Sequence, residues 1–159
     1  MPIPDFVVEL RRHVGRARLW LPGVTAVVLR GEGAQREVLL VRRSDNGQWA
    51  PVTGIVDPGE QPAAAAVREA REETCTEIAV ERLAWVHATA PVTHVNGDEA
   101  VYLDHTFACR WVGGEAAVGD DESLEVRWWW LSGLPPMREH LRERIDVVLR
   151  DEVAARFDT

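Results

Sequence analysis

Residues 54–75, GIVDPGEQPAAAAVREAREETC, constrain the fold of this 159-residue chain more than any other stretch. Gly54 and the Asp57-Pro58-Gly59 turn interrupt regular structure. Pro62 then suits the first turn of a helix, and Ala63 to Ala66 favour its continuation. At about 100° per residue, Ala63, Ala66, Val67, Ala70 and Thr74 gather on one side. Such a small apolar side lets a helix lie close against a sheet. Glu69, Glu72 and Glu73 gather on a neighbouring side, because positions three and four apart are helix neighbours. Like charges at those spacings cost a helix only about a few tenths of a kcal/mol each. Arg68 can pair with Glu72, and Arg71 is near. Two readings follow: a solvated acidic face, or carboxylates placed to hold a cation. The loop in front favours the second. Glycine permits a close backbone approach, the Gly54 carbonyl could face the glutamates, and hard divalent cations take carboxylate, water and phosphate oxygens.

The flanking segments read mainly as strands. PGVTAVVLR (22–30) is a buried, β-branched run, and EVLLVRR (37–43) is its return after the turn at 31–35. Asn46-Gly47 and Asn96-Gly97 mark tight turns. Residues 78–90 form a strand region and 91–112 a hairpin, in which Val101, Leu103, His105, Phe107, Cys109 and Trp111 alternate on one face. GGEAAVGDDESLE (113–125) is a polar loop, VRWWWL (126–131) a strand, and 134–157 a helix opened by a Pro pair. Residues 5–14 predict an amphipathic helix capped by Asp5. Strands around one internal helix, with helices at both ends, indicate an α/β or α+β layered fold. The length is that of one ordinary domain.

Lys plus Arg number 18 and Asp plus Glu 26, for a net charge of −8. That balance argues against nucleic-acid or membrane-surface binding. A phosphorylated substrate would need divalent cations to offset the repulsion. Cys75 and Cys109 fit neither a zinc site nor a disulfide framework and read as buried free thiols in a reducing compartment. The N-terminal stretch lacks the apolar core of a signal peptide and no run is long enough to span a membrane, so the expected location is cytoplasmic.

Gly54, five residues, Glu60, seven residues and then Arg68-Glu69-Ala70-Arg71-Glu72-Glu73 resembles the Nudix box of the Nudix hydrolase superfamily, MutT-like or ADP-ribose pyrophosphatase-like. Two positions depart: Cys75 stands where the family has Gly, and Thr76 where it has an aliphatic residue. The family Gly would end the helix in a left-handed conformation, which costs another residue about 1 kcal/mol. The resemblance implies one Nudix domain over 1–159, an α/β/α sandwich with a mixed sheet. It comprises an N-terminal helix extension at 1–19, the box loop and helix at 54–76 and a C-terminal helix at 136–157. It implies Mg²⁺-dependent (or Mn²⁺-dependent) hydrolysis of a nucleoside diphosphate linked to another group. Glu69, Glu72, Glu73 and the Gly54 carbonyl would be metal ligands, and Glu60 and Arg68 would brace the loop and helix. Glu69 or a loop carboxylate, Glu122 before Glu125, would take the proton of the attacking water.

On the substrate side, one of Arg42 and Arg43 can reach phosphate, since neighbours on a strand point oppositely. Trp49, His94 and Tyr102 could stack on a base or sugar, whereas Trp128 to Trp130 read as core. Pro91, fifteen residues past Thr76, resembles the ADP-ribose pyrophosphatase subgroup and tips the substrate towards ADP-ribose-like compounds or nucleoside-diphosphate sugars. A nucleoside triphosphate pyrophosphohydrolase, a non-catalytic Nudix ligand sensor and an isoprenoid diphosphate isomerase are the alternatives. The expected partner is a small nucleotide, and the terminal helices could either support a homodimer or cap a monomer.

Overall fold

The computed structural model describes residues 3–159. Met1 and Pro2 of the expected N-terminal extension lie outside the described residues. In chain order the elements are α1 (Asp5–Val14), β1 (Leu19–Arg30), a 3₁₀ turn (Gly33–Gln35), β2 (Glu37–Arg43), β3 (Trp49–Ala50) and β4 (Val52–Ile55). They continue with α2 (Pro62–Thr74), β5 (Glu77–Ala88), β6 (Val92–Thr93), β7 (Glu99–Gly113), β8 (Ser123–Trp130), α3 (Glu139–Leu149) and β9 (Arg156–Phe157). The strands form one mixed sheet with the path β3-β2-β1-β7-β5-β9; β4 joins β1, β6 joins β7 and β8 joins β2. β1 and β7 pair in parallel over eleven positions, from Leu19↔Ala100 to Leu29↔Arg110.

Both faces of this sheet are covered, which explains why its central strands are apolar at nearly every position. Val24, Ala26, Val28, Leu39, Val41, Val52, Phe107 and Cys109 meet Ala65, Ala66 and Ala70 of α2 on one face. Val27, Leu29, Val38, Leu40 and Ala108 meet Ile145, Val147 and Val148 of α3 on the other. The result is the expected α/β/α sandwich. The alanine side of α2 makes the close approach: Ala65, Ala66 and Ala70 have no exposed surface.

α3 is anchored by a buried polar network. Arg144 donates through Nη1 to Thr25 Oγ1 at 2.6 Å and lies 3.3 Å from Asp104 Oδ1. Thr25 and Thr106 donate to the two oxygens of Asp104 at 2.8 and 2.7 Å. Each buried polar group needs such partners to offset lost hydration. Periodicity gives no sign of this network, because Asp104 and Thr106 sit inside an apolar alternation.

Three expectations need correction. The C-terminal helix is shorter than 136–157: it starts at Glu139, three residues past Pro136, and ends at Leu149, capped by Arg150, after which Asp151 has φ 55°. Residues 156–157 pair instead with β5 as a short parallel strand. Strand β8 begins earlier than Val126, at Ser123, because its pairing with β2 continues past a register shift at Leu124 to Arg43↔Ser123. Trp130 is half exposed rather than core, while Trp128 and Trp129 pack on opposite faces of the sheet.

Cys75 ends α2 in the left-handed conformation (φ 56°, ψ 19°) and donates its backbone N–H to the Arg71 carbonyl at 3.0 Å. It is exposed, unlike Cys109, whose thiol burial pushes up to about 12. The chain therefore keeps the glycine-type helix exit with a side chain in place. We predict that Cys75→Gly stabilises the protein by about 1 kcal/mol, seen as a rise of about 2–4 °C in thermal melting. A lower melting temperature would contradict the strained exit.

Candidate active site

The loop before α2 is locked by its own residues. Asp57 to Glu60 form a turn closed by the Glu60 N–H to the Asp57 carbonyl at 3.0 Å, with Pro58 second and Gly59 third at φ 85°. A positive φ at that third position is what such a turn demands of glycine. Glu60 then grips Arg68: Nε to Oε1 and Nη2 to Oε2, both 2.9 Å. Arg68 Nη2 also reaches the Ile55 carbonyl at 3.1 Å. This two-bonded pair holds Glu60 ionised below the usual carboxylate range. It ties the end of β4 to the first turns of α2.

The same arginine extends into the glutamate cluster. Its Nη1 lies between Glu69 Oε1 (2.8 Å) and Glu72 Oε2 (3.2 Å). Arg71 takes no part and pairs outward with Glu77 at 2.7 Å. The glutamates are not a solvated face: Glu69 is fully buried and Glu73 is 4% exposed, and only Glu72 reaches solvent. Burial raises the Glu69 carboxyl to about 7, against the pull of Arg68 and helped by the charges of Glu72 and Glu122. Burial also raises Glu73 well above the ordinary range, assisted by Glu69, Glu122 and Asp120 and opposed by Arg43.

Gly54 is explained by this burial. A Cβ there would lie 2.1 Å from Glu69 Cδ and 2.2 Å from its Oε1. The carboxyl thus occupies the space a side chain would need, at the position on β4 that pairs with Val24 of β1.

The exit of α2 brings the acidic loop alongside. Ala117 and Gly119 donate backbone N–H groups to the Thr74 and Glu73 carbonyls at 3.1 and 3.0 Å, satisfying helix-end acceptors. A Cβ at Gly119 would lie 2.0 Å from the Glu72 carbonyl oxygen, so only glycine passes there. The chain then turns through Asp120, whose side chain accepts the Glu122 N–H at 3.0 Å. Glu122 and Asp120 are thereby close enough for their charges to act on Glu73. Glu125 is not: it pairs with Arg42 across β2 and β8, at a position that faces α3.

Of the two arginines, Arg43 faces the site. It is held by Asp45 through two 3.0 Å bonds, reaches Thr53 Oγ1 at 3.5 Å and interacts with the charges of Glu73 and Glu122. Arg42 points away and bonds the Gly47 carbonyl. His94 and Tyr102 join at 2.8 Å, near enough to Arg43 for its charge to act on both. Trp49 is not brought to them: it packs edge-on against Trp129 at 5.2 Å in the α3-side core. Sequence reasoning missed Asp45, Thr53 and Asp120. A side chain two residues from a strand end carries no motif, so only the Asn46-Gly47 turn hinted at Asp45.

Among the described residues, no three His, Cys, Asp or Glu side chains converge as a finished metal cage. The Arg68 guanidinium supplies the positive charge between Glu69 and Glu72. The donor set nevertheless suits a hard cation. Glu69 Oε2 is buried with no hydrogen-bond partner, and all the donors are oxygens, without histidine or thiolate at the cluster.

The NUDIX domain family profile matches residues 20–150. The chain belongs to the Nudix hydrolase family. It is 32% identical over 131 residues to "Putative nudix hydrolase 1" of Caenorhabditis elegans, covering 80% of this chain and 33% of that protein. It is 32% identical over 134 residues to "NAD-capped RNA hydrolase NudC" of Pseudomonas aeruginosa, covering 80% of this chain and 44% of that protein. The chain thus spans less than half the length of these relatives. Among solved structures, "UDP-X diphosphatase" superposes with a TM-score of 0.68 at 21% identity, over 97% of this chain and 74% of that one.

Gly54→Ala will fold, because the position is extended, but the new methyl will displace the Glu69 carboxyl. We expect divalent-cation affinity to fall by about tenfold or more, as when support around a ligand is lost, read by titration calorimetry. Unchanged affinity would show that the Glu69 position is not needed.

Proposed function

We propose that this chain is a divalent-cation-dependent hydrolase that cleaves the pyrophosphate linkage of a nucleoside diphosphate joined to another group. The observation that carries this reading is the pair of buried carboxyl groups, Glu69 and Glu73, with one Glu69 oxygen lacking any partner. Carboxyls kept out of water without enough positive charge are poised for a cation. Glu69, Glu72, Glu73 and the Gly54 carbonyl would hold Mg²⁺, with Mn²⁺ as a substitute. When bound, it neutralises pyrophosphate oxygens and makes water more acidic.

The remaining roles fall to the chain's own groups. Arg43 meets substrate phosphate: Asp45 holds its Nε and Nη2, while its Nη1 makes a long 3.5 Å contact with Thr53 Oγ1. Asp45 aims that guanidinium. Glu122 accepts the proton of the attacking water, and Glu69, with its carboxyl near neutrality, is the other candidate base. Glu60 and Arg68 fix the loop against the helix. Tyr102 and His94 form a wall beside Arg43 that suits a sugar or base.

The Arg43, His94 and Tyr102 grouping supports a substrate in which a phosphate is flanked by a ring-bearing group. Nucleoside-diphosphate sugars and ADP-ribose-like compounds fit this best. The Pseudomonas aeruginosa relative is named an NAD-capped RNA hydrolase, which is the reason to include NAD in the same test. Hydrolysis should be assayed with Mg²⁺ and with Mn²⁺ over ADP-ribose, nucleotide sugars, NAD and nucleoside triphosphates, with products identified. We expect cleavage within the pyrophosphate linkage of one of the first three. We expect Glu73→Gln to cut turnover by about two orders of magnitude or more, while circular dichroism is unchanged. Binding of ADP-ribose without any hydrolysis would favour the ligand sensor, and full activity in Glu73→Gln would refute the assignment.

A further inference from the structure

Strand β8 is an open edge. It pairs with β2 on one side, and no strand among the described residues pairs with its other side. The phase of its hydrogen bonds is fixed at one end, where Leu131 donates to the Arg36 carbonyl at 3.1 Å. In an antiparallel ladder, bonding to a neighbour alternates along the strand. Residues 127 and 129 therefore bond β2, while Val126, Trp128 and Trp130 direct their N–H and C=O groups outward.

Long open edges are ordinarily blunted by Pro, Lys, other charges, coverage or a β-bulge, and β8 has one such irregularity, at Leu124, which leaves Glu125 to Trp130 as a regular open edge. This one has neither Pro nor Lys from Ser123 to Trp130. It is also rimmed by exposed apolar side chains, Leu124 at 57% and Trp130 at 49%. Its two charges are of opposite sign, and Glu125 and Arg127 flank Val126 symmetrically.

We propose that β8 pairs antiparallel with β8 of a second copy of this chain, about a two-fold axis at Val126. The outward groups allow two nearby registers. With the axis at Val126, Glu125 stands opposite Arg127 of the second copy, within the regular part of the strand. With the axis at Arg127, two arginines would face each other. Opposite charges directly across a ladder stabilise it and like charges destabilise it, so the first register is selected. Symmetry doubles each contact, as in any isologous dimer. The pairing uses neither the glutamate cluster nor the Arg43 group, so it stands apart from the activity proposed above.

Sedimentation equilibrium of the full chain should show a monomer–dimer equilibrium. Glu125→Arg and Arg127→Glu should each weaken it by about tenfold, and the double swap should restore it to within about threefold, given two such cross-strand pairs per dimer. Val126→Cys in a Cys75→Ser background should form a disulfide-linked dimer on mild oxidation. A residue facing itself in a bonded pair has Cα atoms about 5.5 Å apart, within disulfide range. A chain that stays monomeric at all concentrations overturns the proposal. So does cross-linking at Arg127→Cys but not at Val126→Cys, or a double swap no better than the single variants.

Discussion

The carboxyl of Glu69 lies against the bare Cα of Gly54, out of water, with the Arg68 guanidinium on one oxygen and, among the described residues, no hydrogen-bond partner on the other. Several features of the chain follow from this contact. It requires glycine at the end of β4. It requires α2 to sit close to the sheet, which its alanines permit. It requires a positive charge near by, and that charge must itself be positioned, which Glu60 does through two bonds from the preceding loop. A free carboxylate in such a place would be costly. Glu69 and Glu73 respond by holding their protons to higher pH than usual.

The far end of α2 is built for the same cluster. Its terminal carbonyls take N–H groups from the loop at 117–119, and this docking leads the chain directly to Asp120 and Glu122. The geometry needs a left-handed residue at 75 and close passage at Gly114 and Gly119, where a Cβ would lie 2.5 and 2.0 Å from backbone oxygens of Cys75 and Glu72. Cys75 adopts that conformation despite its side chain. Nothing in the structure explains why cysteine stands there rather than glycine.

The main strands, the internal helix and the box were legible from the sequence, because period-two and period-3.6 patterns and the Gly54–Glu73 spacing are local signals; the sandwich was implied by the resemblance that the box carries. Helix α1 and strand β2 match their expected limits, 5–14 and 37–43, but Asp5 does not cap α1: it lies within the first turn and Pro4 holds the cap position, with no side-chain cap bond. What was not legible depends on contacts distant in sequence. That Glu69 and Glu73 are buried while Glu72 is exposed follows from where the sheet and the 113–122 loop lie, not from helical spacing alone. Arg43, rather than Arg42, turns to the site because β2 places odd residues on the α2 face. Trp49 was misread for the same reason, since its turn carries it to Trp129 on the other side. The shortened C-terminal helix reflects β5 offering an edge to residues 156–157, which no helix propensity records.

The central claim is that burial keeps the Glu69 and Glu73 carboxyls protonated to a higher pH than usual, and that the cation proposed above would bind there. Metal binding must then displace protons. The direct test is titration of the metal-free protein with Mn²⁺ at pH 6, 7 and 8, in buffers of different ionisation enthalpy. These carboxyls retain protons above the usual range, so release should be largest at pH 6 and should fall as pH rises through about 7, the Glu69 value. Glu69→Gln should remove part of it. Binding with no proton release at pH 6, or no binding at any of these pH values, would contradict the account.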